Sequence, residues 1–252
     1  MIRGSRRYTA LLRNALALSA AATLLGATGC VTRPPTIAHV HIGHAITGVH
    51  VTPDHEGYLS TAERQARDTL ELSKKALGSQ DLTQIKADIA AAVKATDSED
   101  EFSVKHALVM AANHLSFAAT SDDATLNLQQ SAPIFVGHTT RVVERCELIA
   151  LLGKDVAAST SVKEATVSVQ EVVKLADANV SGDDSNGDGI VGSDPSEFGL
   201  LQLRKELEAM IARERPAYVT VDRWYLFNLV RLPSGRWVFD KLSRGGNIEG
   251  YK

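Results

Sequence analysis

Apolar residues recur every three or four positions through most of the chain between residues 60 and 213. This spacing places them on one face of an α-helix, and it predicts a largely helical core. Ser60 with Glu63 and Ser161 with Glu164 show the spacing of a capping box, in which a hydroxyl and a carboxylate close the first helical turn. The predicted helices run over Ser60–Leu77, Asp81–Val93, Ser98–Ala119, Ile134–Gly153, Ser161–Ala176 and Pro195–Arg213.

A shorter helical piece, capped by Asp122 or Asp123, is expected to end before Pro133, because proline removes a helix hydrogen bond. Two segments lack the helical pattern. Residues 37–55 alternate partly between apolar and polar positions, which indicates an extended stretch. Residues 218–239 are rich in β-branched and aromatic side chains around a Pro-Ser-Gly turn, which predicts a β-hairpin, with a helix over 222–229 as the alternative.

The predicted fold class is therefore mostly α. We expect a single multi-helix bundle over residues 38–242, with an extended His-rich N-terminal stretch and a small C-terminal β-hairpin. Residues 243–252 are polar and are expected to form a flexible tail.

The first 30 residues have a different character. Four arginines precede an uncharged apolar run from Ala15 to Gly29, which is short for a transmembrane helix and typical of a bacterial secretory signal. The run ends in Gly-Ala-Thr-Gly-Cys at residues 26–30. This ending resembles the lipobox of bacterial lipoproteins. Cleavage by an ordinary signal peptidase is the alternative.

The lipoprotein resemblance implies that residues 1–29 are removed as a signal peptide and that Cys30 becomes a lipidated N-terminus, carrying palmitate-type chains. Residues 30–37 would then tether the domain to a membrane, which is the first predicted partner. Val31 carries no retention signal of the Asp type, and this favours the periplasmic face of the outer membrane within the cell envelope.

The net charge of the chain bears on the partners it can bind. The chain has 27 basic and 30 acidic residues, and removing residues 1–30 leaves 23 against 30, a net charge of −7. An acidic domain argues against nucleic acid as a partner. Lipidation of Cys30 would leave Cys146 as the single thiol, and its place on an apolar helix face with Phe135, Val142 and Ile149 predicts a buried structural residue.

The acidic loop, residues 183–197, is the most explicit chemical motif. Asp184, Asn186 and Asp188 carry oxygen side chains at every second position, and Gly189 follows where a loop around a cation must turn. This arrangement resembles the first half of an EF-hand calcium loop. The resemblance assigns a backbone carbonyl ligand to Ile190.

The second half of the loop departs from the EF-hand pattern, because its twelfth position is Pro195. Asp194, Pro195 and Glu197 instead form a helix-entry signature. We therefore predict a longer loop in which Asp194 takes the ninth-position role and Glu197 closes the Ca²⁺ shell. A dockerin-like loop closed by Asp194 is one alternative, and a solvated acidic linker is the other.

Histidines are concentrated near the N-terminus of the domain, with five of the eight in residues 37–55. His39, His41 and His44 are candidates for binding a transition metal or haem through imidazole nitrogen. The shell could be completed from elsewhere in the chain by His50, His55, His106, His114 or His138. The alternative is that these are hydrogen-bonded structural or surface histidines.

The sequence contains no serine-hydrolase, phosphate-loop or paired-cysteine motif, so we expect a binding protein rather than an enzyme. The leading prediction is a membrane-anchored envelope-accessory lipoprotein that binds structural Ca²⁺ and an unidentified protein partner. A transition-metal or haem-binding accessory protein is the second prediction. A metal-dependent enzyme is the third.

Overall fold

The computed structural model describes residues 36–98, 102–215 and 218, and the short segments 222–224, 229–231 and 237–239. The described part is mostly helical, as predicted. Its α-helices are Ile37–Ile46 (α1), Tyr58–Gly78 (α2), Leu82–Thr96 (α3), Val104–Thr120 (α4), Leu126–Ala158 (α5), Val162–Ser181 (α6) and Leu200–Ala212 (α7), and two 3₁₀ turns lie at Pro53–His55 and Pro195–Glu197.

Helix α5 has 33 residues and links the two parts of the core. Its N-terminal half packs with α4 and α7, and Leu128 and Phe135 belong to the same hydrophobic cluster as the buried residues of α1. Its C-terminal half packs with α3 and α6 around Ile149 and Val156. Helix α2 also contributes to both clusters, so each cluster is built from residues far apart in the chain.

The prediction of an extended stretch at residues 37–55 is wrong over its first half, which is α1. Ala38, Ile42 and Ala45 recur at helical spacing and are fully buried. The N-cap is Thr36, whose hydroxyl accepts from the His39 N–H. The helical spacing of the buried apolar residues therefore predicts the conformation of 37–46 correctly. The partial alternation of apolar and polar residues, which suggested a strand, does not.

The sequence predicted some helix N-caps correctly and others incorrectly. Asp81 and Ser161 are the N-caps of α3 and α6, as expected. Ser60 is not a cap, because α2 begins two residues earlier and thereby buries Tyr58 and Leu59. The cap of α4 is Ser103 rather than Ser98, whose carbonyl instead accepts from the Ser103 hydroxyl.

The predicted break before Pro133 is also wrong. Helix α5 runs through Pro133, which is exposed. The carbonyl of Gln129, which loses its helix partner at this point, belongs to an exposed residue and can be satisfied by water.

The predicted helix from Pro195 is divided into a 3₁₀ turn and α7. Phe198 and Gly199 have extended backbone conformations and separate the two. Gly199 also lies so close to the end of α6 that a side chain there would collide with Gly182 and with the Ala178 carbonyl. Asp194 caps the turn and forms a capping box with Glu197, which confirms the predicted helix-entry signature.

Three short strands, Asp222–Trp224 (β1), Leu229–Arg231 (β2) and Trp237–Phe239 (β3), pair antiparallel in the order β1-β2-β3. The residues connecting them lie outside the described part, so the hairpin stays a prediction. The signal segment, Cys30 and the tail from 243 also lie outside it. Among the described helices, none combines the length and apolarity needed to cross a bilayer.

Candidate metal site

Three histidines from two helices converge on one point. His41 and His44 lie about one turn apart on α1, and His114 lies on α4, against which α1 packs. One nitrogen from each ring lies within 4.8 Å of the others. In the part of the chain that the structure describes, no other set of three His, Cys, Asp or Glu side chains converges in this way. We call these residues the histidine trio.

The contacts in the trio are between Nδ1 atoms. His114 Nδ1 lies 3.0 Å from His41 Nδ1 and 3.3 Å from His44 Nδ1. In a neutral imidazole, Nδ1 carries either one hydrogen or one lone pair. The single Nδ1 atom of His114 therefore faces two other nitrogens. In this arrangement one cation could accept the lone pairs of all three nitrogens.

Aromatic rings surround the trio. Tyr58 stacks on His114 with ring centroids 5.3 Å apart, and burial raises its pKa above the usual value for tyrosine. On the other side, the Phe117 ring lies 5.5 Å from His41 and 6.1 Å from His114. Tyr58 is buried, whereas Phe117 is 54% exposed, so the trio lies at the boundary between core and solvent.

His39 does not join the trio. A helix turns by about 100° per residue, so His39 points away from His41. His39 Nε2 instead lies 3.3 Å from the carboxylate of Glu214, a fully buried residue that also accepts from Thr125 and Asn127. This contact ties α1 to the segment after α7.

The N-terminus of α1 is held by Asp123. Its carboxylate accepts from the N–H groups of Ile37 and Ala38 at 2.6 and 3.0 Å. Asp122 or Asp123 was expected to cap a short helix before Pro133, but the cap of α5 is Thr125. Asp123 and Glu214 therefore fix α1, and with it two members of the trio.

The remaining histidines have other contacts. His55 Nδ1 lies 3.0 Å from the His50 carbonyl, and His138 Nδ1 lies 3.0 Å from a Glu206 carboxylate oxygen. His106 shares α4 with His114, as predicted, but its ring contacts Phe102. Of the five histidines considered for completing the shell, the structure selects His114.

In the acidic loop, two carboxylates organise the backbone. Asp184 accepts from the N–H groups of Gly187, Asp188 and Gly189 at 2.8–3.1 Å. Gly189 has φ of 82°, so the predicted tight turn at this position requires glycine.

Glu197 is fully buried beneath the loop. Its carboxylate accepts from the N–H groups of Asn186, Gly192, Ser193 and Asp194 at 3.0–3.4 Å. Glu197 therefore holds both halves of the loop together through backbone amides, and its predicted role in closing a Ca²⁺ shell stays a prediction.

Oxygen-bearing side chains meet at Ser193. Its Oγ lies 2.8 Å from Asp188 Oδ2, 3.2 Å from Glu197 Oε2 and 3.0 Å from the Asn186 side-chain amide. The hydrogen bond from Ser193, followed by that from the Ile190 N–H, lowers the pKa of Asp188. Sequence reasoning missed Ser193, although its short hydroxyl side chain within an acidic loop is a recognisable signal.

The other two predicted ligands are engaged outside this group. The Asp194 side chain accepts from the Ser196 N–H as a helix cap. Hydrogen bonds from the Ser196 side chain and then from its N–H lower the pKa of Asp194. The Ile190 carbonyl accepts from the Ser193 N–H at 3.3 Å.

Arg145 attaches the loop to the bundle, a role that sequence reasoning did not predict. Its side chain is fully buried and donates to Asp183 Oδ1 at 2.5 Å and to the Phe198 carbonyl at 2.6 Å. Burial lowers its pKa below the usual arginine value. The neighbouring Cys146 is buried as predicted, and burial raises the pKa of its thiol to about 12, so the thiol is unreactive at neutral pH.

Comparison of the chain with protein-family models, with curated proteins and with solved structures gave no match.

Proposed function

We propose that this protein binds a divalent transition-metal ion through His41, His44 and His114. The single observation that carries the proposal is the position of His114 Nδ1, 3.0 and 3.3 Å from the Nδ1 atoms of two histidines that lie 73 and 70 residues away in the chain. Imidazole nitrogen binds Zn²⁺, Cu²⁺ and Ni²⁺, with Cu²⁺ the tightest of these.

The spacing favours a bare ion over haem. Two histidines on opposite sides of a haem iron would place their nitrogens about 4 Å apart, twice a metal–nitrogen distance of about 2 Å. The Nδ1–Nδ1 distances of 3.0 and 3.3 Å are shorter, and they match two nitrogens on the same side of one ion.

The surroundings of the trio also support a metal site, because a binding site needs side chains that are held in place by their neighbours. Here Tyr58 stacks on His114, while Asp123 and the His39–Glu214 contact hold α1 in position. The role of His39 is therefore to position the ligand helix rather than to bind the ion.

Equilibrium dialysis of the metal-free full chain against Zn²⁺ and Cu²⁺ tests the proposal. We expect one ion per chain in the wild type and in His50→Ala, a control that removes an exposed histidine outside the trio. His114→Ala should lose this binding. Equal binding by His114→Ala and wild type would refute the proposal. Elemental analysis of the untagged protein then identifies the ion acquired in the cell.

A second candidate function is structural Ca²⁺ binding by the acidic loop. The observation that favours it is the meeting of Asp188, Asn186 and Glu197 side chains around Ser193 Oγ, because oxygen donors of this kind are the ligands that Ca²⁺ prefers. Binding would require the Asp184 and Asp194 carboxylates to exchange backbone amides for the ion.

Thermal unfolding with and without millimolar Ca²⁺ tests the loop. At ten times the dissociation constant, Ca²⁺ should stabilise the wild type by about 1.4 kcal/mol. Asp188→Ala should abolish the gain, and Asp177→Ala, which removes an exposed carboxylate on α6, should retain it. A wild type that gains nothing from Ca²⁺ rules out this function.

We also propose that the protein acts in the cell envelope as a lipid-anchored accessory protein, with Cys30 lipidated at the periplasmic face of the outer membrane. The support is the signal-like segment 1–29 and the lipobox-like ending at Cys30. Metabolic labelling with a palmitate analogue should mark the wild type and leave Cys30→Ser unmarked. Labelling of both would place the lipid elsewhere.

A further inference from the structure

The chain contains one asparagine that is followed by glycine, and this pair, Asn186 and Gly187, lies in the acidic loop. The backbone nitrogen after an asparagine can attack the side-chain carbonyl carbon, because the attack closes a five-membered ring. Such a reaction is favoured when the reacting atoms are already held together. Glycine has no Cβ to crowd the attacking nitrogen. Asn186 is therefore the asparagine whose side-chain amide we expect to be lost most readily.

The backbone at this pair has room to change conformation. Both residues are exposed. Gly187 has φ of 76°, and apart from its chain neighbours no heavy atom lies within 4 Å of the position that a Cβ would take there. The other asparagines that the structure describes lie in helices, where hydrogen bonds fix the backbone and hold the next nitrogen in the helical conformation. They are Asn113, Asn127 and Asn179.

The loop supplies groups that assist the attack. The attacking nitrogen must lose its proton, and the Gly187 N–H donates to Asp184 Oδ1 at 2.8 Å, so this carboxylate can accept it. Negative charge develops on the attacked carbonyl oxygen. Asn186 Oδ1 accepts from the Asp188 N–H at 2.8 Å, and this hydrogen bond stabilises that charge.

The leaving nitrogen also has a partner. Asn186 Nδ2 lies 3.0 Å from Ser193 Oγ and 3.3 Å from Asp188 Oδ2. A hydroxyl can donate a proton as well as accept one. Ser193 is therefore placed to protonate the nitrogen as it departs.

We propose that Asn186 is a self-modification site, at which the Gly187 nitrogen displaces the side-chain amide. The new C–N bond closes a succinimide ring as the bond to Nδ2 breaks, and ammonia leaves. Water from the solvent then opens the ring at either carbonyl, which leaves aspartate or isoaspartate at this position. One water molecule is consumed and one ammonia is released for each asparagine converted.

The modification changes the loop in two ways. Either product adds one negative charge close to Asp184 and Asp188, which are the contacts of Asn186 and Gly187 in the unmodified loop. The isoaspartate product also lengthens the backbone by one carbon atom. The reaction itself uses only the chain and water, so it is independent of metal binding at either candidate site.

The test incubates the folded full chain without added metal at mildly alkaline pH and maps its peptides by mass spectrometry, with released ammonia measured in parallel. We expect residue 186 to gain one mass unit, with isoaspartate among the products, while the asparagines in the helices stay unchanged. Gly187→Ala should lose most of this gain, because a methyl group crowds the nitrogen. Gly137→Ala, which alters an exposed glycine with open surroundings on α5, should react as the wild type.

A second variant, Asn186→Gln, keeps the amide but requires a six-membered ring, and it should also lose the gain. Reaction at residue 186 in the urea-unfolded chain but not in the folded chain would show that the loop protects Asn186, and this would overturn the proposal. Equal rates in Gly187→Ala and the wild type would show that the Gly187 nitrogen is not the attacking group, with the same consequence.

Discussion

The histidine trio and the acidic loop bring their candidate ligands together by opposite routes. His114 is 70 residues from His44 along the chain, and the two meet because α1 packs on α4. The loop carries all its candidate ligands within residues 183–197. In the trio the Nδ1 atoms face one another. In the loop, the carboxylates of Asp184 and Glu197 accept hydrogen bonds from backbone N–H groups.

This difference shows that a motif can be recognisable in the sequence without its side chains being gathered in the structure. The loop is recognisable from sequence because its residues are adjacent, yet its carboxylates do not gather as a group of three. The trio depends on tertiary packing and is already gathered. We therefore expect the trio to respond to changes in α1, and the loop to respond to changes at its attachment to α5.

The largest effect is expected from Arg145→Met, which removes the attachment of the loop. Asp183 and the partly buried Phe198 carbonyl would lose the Arg145 guanidinium as a donor, while the Ala178 carbonyl would keep the Gly182 N–H. Removing one partner of a buried ion pair destabilises a protein by about 3–5 kcal/mol. Because Asp183 is partly exposed, we expect the lower end of that range in urea unfolding followed by circular dichroism.

The matched control is Arg141→Met on the same helix, whose surface pair with Glu144 should contribute less than about 0.5 kcal/mol. Equal losses in the two variants would show that Arg145 does not attach the loop.

The next effect concerns the trio. Zn²⁺ at a hundred times its dissociation constant should stabilise the wild type by about 2.7 kcal/mol, because the ion binds the folded chain at a site assembled from two helices. His114→Ala should lose this gain in thermal unfolding, and His50→Ala should keep it. Stabilisation retained in His114→Ala would place the ion elsewhere.

A smaller effect is expected from Asp123→Ala, which removes the acceptor of the first two amides of α1. Losing such a cap costs about 1 kcal/mol. The affinity for Zn²⁺ should fall as well, since α1 carries two of the three ligands, and calorimetric titration measures this. Asp122→Ala is the control, because it removes an exposed neighbouring carboxylate. If Asp123→Ala binds Zn²⁺ as tightly as Asp122→Ala, the trio does not depend on this cap.

The smallest effect is a change in the acid titration of the loop. The Ser193 hydroxyl lowers the pKa of Asp188 in the folded chain, so ionised Asp188 contributes stability above the ordinary aspartate pKa of about 3.9. That contribution is lost as the pH falls through the lowered value. Ser193→Ala should raise the Asp188 pKa towards the ordinary range, measured by NMR titration of the carboxyl carbon without Ca²⁺. An unchanged pKa would show that Ser193 is not the partner that matters.

The sequence predicted those elements whose signals are local. The stripe of Ala165, Val169 and Val172 and the cap Ser161 placed α6 correctly, because helical periodicity and capping act within a few residues. The capping box of Asp194 and Glu197 was predicted for the same reason.

The sequence did not predict roles that depend on contacts between residues far apart in the chain. The roles of Asp123 as a cap for α1 and of Arg145 as the anchor of the loop depend on partners 85 and 38 residues away. His114 was one of several candidates, and only the packing of α1 on α4 selects it. The extended prediction for 37–55 failed because a weak alternation was preferred to the helical spacing of Ala38, Ile42 and Ala45.

The most direct test of the account is an NMR measurement of the imidazole nitrogens in the full chain during titration with Zn²⁺. We predict that one equivalent shifts the Nδ1 resonances of His41, His44 and His114 together, while those of His50, His55 and His138 stay in place. Saturation at one ion per chain without movement of the three Nδ1 resonances, or movement centred on His39, would contradict the account.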